Sequence, residues 1–156
     1  MRPFHTSPLS LPLLFVLVVL GIFAACSTGK KHLSESSGVH FQKTINYDDI
    51  LARSAAEHLP VVVYFTATWC GPCKVMDKYV FSDEELARRL NTEFISIKLD
   101  VDNPDYKDLV YIYDASALPT MVMVNQKGAE LARRRGSLSI SGVHRFLDEG
   151  LRALGD

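Results

Sequence analysis

Two cysteines two residues apart, in Trp69-Cys70-Gly71-Pro72-Cys73-Lys74, follow closely on the apolar run Val61-Val62-Val63-Tyr64-Phe65. A β-branched and aromatic run of that length, opened by Pro60, predicts a short buried strand of the parallel kind. Cys70 then falls where a strand ends and a helix begins. Unpaired backbone N–H groups and the helix dipole at such a point favour a thiolate over a thiol. A CxxC thiol placed there drops from about 8.5 to about 7, so an appreciable fraction is nucleophilic at neutral pH. Pro72 suits the first helical turn, where its missing N–H costs nothing. Gly71 leaves room for a partner chain to approach Cys70. The layout is that of a reversible dithiol/disulfide couple, and it implies electron transfer between protein thiols.

Other uses of a CxxC meet obstacles. A zinc site needs four ligands, whereas the chain has no second CxxC and no HxxxH, and His32, His40, His58 and His144 stand singly. They read as surface or core histidines, and no metal is expected. A purely structural disulfide over two intervening residues would constrain little chain. No nicotinamide or flavin fingerprint is present, so no cofactor is expected. With 156 residues, 47% hydrophobic, the chain is long enough for one well-cored domain plus appendages. A net charge of −1 and the lack of a basic stripe argue against nucleic acid as partner.

Residues 1–25 are different material. Arg2 begins a short positive region, 11–23 is almost wholly apolar, and Phe23-Ala24-Ala25-Cys26 ends it with small residues before a cysteine. This is an export signal, set apart from the fold. It resembles the lipobox of bacterial lipoproteins, which implies that Cys26 is lipidated and becomes the new N-terminus. Three cysteines minus the CxxC pair leave one, and lipidation accounts for it. Soluble export after cleavage, or an uncleaved anchor, are the alternatives. The anchor would have only the 15 residues 11–25, against the roughly 20 that a spanning helix needs. Ser27 rather than Asp after Cys26 points, by analogy with enteric lipoproteins, to the outer membrane. Residues 26–40, rich in Ser, Gly and Lys, read as a flexible tether, and 41–156 as the domain.

Within the domain, 48–58 has helical composition, with Ile50, Leu51 and Ala55 on one side. Residues 61–67 form a central strand and 72–79 the helix carrying the cysteines. Ser82-Asp83-Glu84-Glu85 fits a capping box opening a helix to Leu90. A strand is expected over 94–100, and a helix opened by Asn103-Pro104 over 103–113. Strands 121–124 and 130–134 flank the hairpin signal Asn125-Gln126-Lys127-Gly128. A last helix runs from Ser139 or Ser141 to Leu154, its Val143, Phe146, Leu147, Leu151 and Leu154 forming a core stripe. Strands alternating with helices, then a hairpin and helix, indicate an α/β domain.

Strand, WCGPCK, helix, strand, helix, Leu118-Pro119-Thr120, hairpin and helix together resemble thioredoxin over about residues 42–154. The stretch Lys74-Val75-Met76-Asp77-Lys78-Tyr79-Val80-Phe81-Ser82-Asp83 is similar to the C-terminal domain of the thiol:disulfide interchange protein DsbD. The resemblance implies a thioredoxin fold with a central mixed sheet flanked by helices. It also implies that Pro119 is cis beside the disulfide, that Leu118 pairs with the substrate backbone, and that Gly136 and Ser137 close the other side of the groove. A cis X-Pro bond is held by only about 5% of such bonds in folded proteins, so the residues alone would indicate an ordinary trans proline.

One position departs from the family. A buried Asp six residues before the first active-site cysteine is Tyr64 here, and a phenol with pKa of about 10 cannot act as a base at neutral pH. Lys98 matches the lysine that accompanies that Asp. Asp77, one helical turn from Cys73, is the expected substitute acid, with Lys98 or water; a plain surface carboxylate is the alternative. Trp69 is expected beside the motif, shaping the partner surface, or else in the core.

The expected cycle has Cys70 attack a substrate disulfide and Cys73 resolve the mixed disulfide. Gly-Pro between the cysteines resembles reducing thioredoxins at about −270 mV, and no His lies there as in oxidants near −120 mV. The expectation is a membrane-tethered periplasmic reductant supplied by a membrane thiol-transfer protein. A disulfide oxidase or isomerase, a non-redox binding module and a copper carrier are the alternatives. Arg133, Arg134 and Arg135 read as charge protecting an edge strand, or as steering toward acidic partners.

Overall fold

Six consecutive buried residues, Val61–Thr66, form the central strand β1. The computed structural model describes residues 38–43 and 46–155. The signal segment, Cys26 and most of the expected tether therefore lie outside the described residues. Among those described, no helix is long and apolar enough to cross a membrane.

Helix α1 (Tyr47–Glu57) precedes β1, and α2 (Gly71–Tyr79) and α3 (Glu84–Glu93) follow it. Strand β2 (Ile95–Asp100) comes next, then a 3-10 turn Pro104–Tyr106 leading into the short α4 (Lys107–Ile112). The hairpin β3 (Thr120–Val124) and β4 (Glu130–Arg135) and the closing helix α5 (Ile140–Gly155) complete the domain. The sheet order is β2-β1-β3-β4. β1 is parallel to β2 and antiparallel to β3, and β3 is antiparallel to β4, giving a mixed sheet.

Each sheet face has its own core, as the alternation of side chains along a strand requires. Val61, Val63 and Phe65 join Ile50, Ile97, Leu99, Leu109 and Tyr113 on the α1/α4 side. Val62 and Tyr64 join Cys70, Cys73, Met76, Phe81, Leu86 and Phe146 on the side of α2, α3 and α5. Covering both faces explains why β1 is apolar from Val61 to Phe65 instead of alternating. It also places the two cysteines in the core of one face.

Local details depart from the sequence pattern in four places. On α1 the buried partner of Ile50 is Ser54, not Ala55, because Ser54 lies one turn on and satisfies its hydroxyl by donating to the Leu59 carbonyl at 2.5 Å. The cap of α3 is Asp83, which accepts from the Leu86 N–H at 2.9 Å, while the Ser82 hydroxyl donates back to the Lys78 carbonyl. Residues 103–113 are not one helix, since the backbone at Tyr106 leaves helical geometry between the 3-10 turn and α4. Finally, Gly38–His40, placed by composition in the tether, are held on the domain. Val39 N–H donates to the Phe81 carbonyl, and Asn91 bonds both the His40 N–H and the Gly38 carbonyl. The strand-like Gln42 then bridges to Ile97 along the β2 edge.

Candidate active site

Parallel β1 and β2 end on the same side of the sheet, so the loops that follow them meet there. Cys70 lies at the end of the β1 loop as N-cap of α2, in extended conformation, with Pro72 in the first turn. Cys70 and Cys73 form a disulfide, their Cα atoms 5.3 Å apart. The Cys73 N–H donates to Cys70 Sγ at 3.2 Å, so the sulfur takes the place that a Ser or Asp oxygen takes in an ordinary cap. A free backbone donor aimed at this sulfur is the local feature that favours its ionised form.

In this linked state both sulfurs are shielded, Cys70 being 3% and Cys73 1% exposed. What is open is their frame: Gly71 and Pro72 are exposed, and a methyl group added at Gly71 would meet no atom within 4 Å. Trp69 is 67% exposed, which removes the core reading. Its indole N–H donates to Asp102 Oδ2 at 2.7 Å, tying the β1 loop to the β2 loop. Asp102 carried no signal of its own, although its place just after a parallel neighbour of β1 could have nominated it.

The Leu118–Pro119 peptide is cis, the isomer that the resemblance implied. Pro119 is buried and its carbonyl accepts from the Gly136 N–H at 2.7 Å, which joins the start of β3 to the loop after β4. Gly136 has φ +85°, a conformation that L side chains rarely adopt. Ser137 is exposed, and the next residue, Leu138, donates its N–H to Met76 Sδ, so this loop abuts α2.

Asp77 projects from α2 and meets Lys98 of β2, with Nζ 2.5 Å from Oδ2. The pair lines a 330 Å³ cavity with Thr66, Ala67, Lys74 and Asp100. Below it lies Tyr64, 0% exposed, whose hydroxyl donates to the Cys73 carbonyl at 3.3 Å. Burial, reinforced by the Asp77 charge, pushes this phenol far above its ordinary range. Tyr64 thus stays protonated and takes no part as a base.

Residues 42–126 match the Thioredoxin-like family. The chain belongs to that family. Among its relatives, the thiol:disulfide interchange protein DsbD of Yersinia pestis is 30% identical over 99 residues, 62% of this chain and 17% of DsbD. Thioredoxin-1 of Drosophila melanogaster is 35% identical over 92 residues, 59% of this chain and 77% of that one. A candidate disulphide-isomerase from Bacteroides thetaiotaomicron has the same fold at TM-score 0.66 and 27% identity, over 76% of this chain and 97% of that one. The thioredoxin fold expected from the sequence is the fold found. The chain spans about a sixth of the length of DsbD, 17%.

Proposed function

We propose that the protein is a membrane-tethered reductant of protein disulfides on the periplasmic side of a bacterial membrane. The observation that carries this reading is the bond from the Cys73 N–H to Cys70 Sγ at the start of α2. In the reduced protein, Cys70 thiolate attacks one sulfur of a substrate disulfide. That S–S bond breaks, a mixed disulfide forms, and the departing sulfur takes up a proton. Cys73, deprotonated, then attacks Cys70 Sγ, closing the 70–73 disulfide and releasing the second substrate sulfur, which is protonated in turn. Two electrons pass from the protein to the substrate, and each exchange is governed by thiolate fraction, leaving-group pKa and access.

Asp77 with Lys98 exchanges the Cys73 proton with solvent in the adjoining cavity. Leu118, Pro119, Gly136 and Ser137 form the groove that receives the substrate backbone, and Trp69 shapes its rim. Cys26 carries the lipid, with the outer membrane as destination. Return to the dithiol requires a donor outside the cytoplasm, supplied by a membrane thiol-transfer protein. The relation to a thiol:disulfide interchange protein supports this placement.

The direction of transfer has a direct test. Equilibration of the purified domain against glutathione buffers should give a potential near −270 mV, as for thioredoxin, rather than about −120 mV as for a strong oxidant. In cells, Cys73→Ser should accumulate mixed disulfides on Cys70 that reductant releases. A potential close to −120 mV would replace the reductant reading by an oxidase, and the absence of any trapped adduct would remove exchange by this order of thiols.

A further inference from the structure

Tyr64 is the largest polar side chain fully enclosed in the core beneath the disulfide, and the exchange cycle assigns it no task. Its surroundings are specific. The ring packs edge-on against Phe81, centroids 4.9 Å apart, and tilted against Phe41 at 5.7 Å. Phe41 in turn meets Phe81 at 4.9 Å, so the segment crossing from Val39 to Gln42 forms one wall of the tyrosine's slot. Lys98 Nζ lies 5.5 Å from the ring centroid while bound to Asp77, a cation over an aromatic face. Held in this slot, the phenol O–H reaches the Cys73 carbonyl, and the Thr66 side chain is its other hydrogen-bonding neighbour.

We propose that Tyr64 is a positioning residue for the redox pair: its hydroxyl anchors the Cys73 carbonyl and so keeps the Cys73 N–H aimed at the Cys70 sulfur. The same residue is gripped on both sides of its α-carbon. Its carbonyl is held by Tyr64 from β1, and its N–H is held by the sulfur that must become a thiolate. A carbonyl oxygen has two acceptor sites, so it takes the phenol without leaving the helical ladder. An N–H that is fixed before the sulfur ionises stabilises the anion without reorganisation. The charged and titratable groups around the ring are Asp77 of α2 and Lys98 of β2, and they neutralise each other. The raised phenol range keeps the O–H a donor across the pH span in which a thiol works. This inference rests on the reading of Cys70 as the attacking thiol.

Tyr64→Phe keeps the ring and removes only the hydroxyl. In the reduced full-length protein, the pH dependence of Cys70 alkylation by iodoacetamide, read by peptide mass, should shift upward. The rate at neutral pH should fall by about two- to fivefold, the equivalent of one ordinary hydrogen bond. Phe41→Leu, which loosens the slot and leaves the hydroxyl, should shift the profile in the same direction by less. An unchanged alkylation profile in Tyr64→Phe with only a lower thermal midpoint would overturn the proposal and leave Tyr64 as packing. An unchanged profile in Phe41→Leu would remove the strap from the device. Alkylation needs no protein substrate, so failure of the wild-type protein to reduce disulfides would sink the proposed function without touching this readout.

Discussion

Asp77 and Lys98 stand 21 positions apart in the chain and meet across α2 and β2, about a third and a fifth exposed. Helical spacing alone places Asp77 near Cys73 but says nothing of the lysine that faces it. Removing the carboxylate in Asp77→Asn leaves the Lys98 cation without its ion-pair partner, which favours a Cys73 thiolate. The Cys73 titration, followed by thiolate absorbance in the reduced protein, should move down by about one unit or less. No movement would return Asp77 to the status of a surface carboxylate. The three consecutive arginines show how far a residue pattern underdetermines charge. Arg133 pairs with Glu130, Arg134 with Glu149, and Arg135 with Asp114 at 2.5 Å. All three cations are answered within the domain, which favours protection of the β4 edge over steering of a partner.

Helices α1, α2 and α3 begin where side chains cap them, and those caps were readable only in part. Pro72 and the cysteine at the start of α2 were legible, because a strand followed by a small, proline-containing turn leaves few other geometries. The start of α3 was not, since Ser82 and Asp83 are both good caps and only the path of the chain after α2 chooses between them. The chosen residue has a measurable worth. Asp83→Ala should cost about 1 kcal/mol and lower the thermal midpoint by roughly 4 °C, whereas Ser82→Ala should change it by less than half as much. Equal effects would put the cap back on Ser82. The short α4 illustrates the opposite limit: composition favours a helix from 103 to 113, but Tyr106 is turned inward, where its hydroxyl donates to the Lys43 carbonyl, and the helix breaks there.

At the level of the molecule, one sheet with a core on each face buries tyrosines that must stay neutral. Burial raises Tyr64, with the Asp77 charge adding to it, and burial also raises Tyr47, with help from its bond to the Tyr113 hydroxyl. In the unfolded chain these phenols ionise at about 10, so above that pH the unfolded state loses protons that the native state retains. Their contribution to stability is therefore complete below pH 10 and lost as pH rises beyond it. Thermal midpoints should be insensitive to these groups through pH 9 and fall between pH 10 and 12. The double variant Tyr47→Phe, Tyr64→Phe should show a shallower alkaline fall, and an identical one would assign it to other groups. The sequence by itself determined the elements and their order, the disulfide-forming pair at a helix start and the two-sided burial of β1, because these follow from periods and spacings within a few residues. Tertiary structure alone decided that Trp69 faces solvent and bonds Asp102, and that Tyr64, packed on Phe41, bonds the Cys73 carbonyl. Those contacts join residues up to 33 positions apart, and they form only when parallel β1 and β2 bring their ends together and the strap crosses beside them.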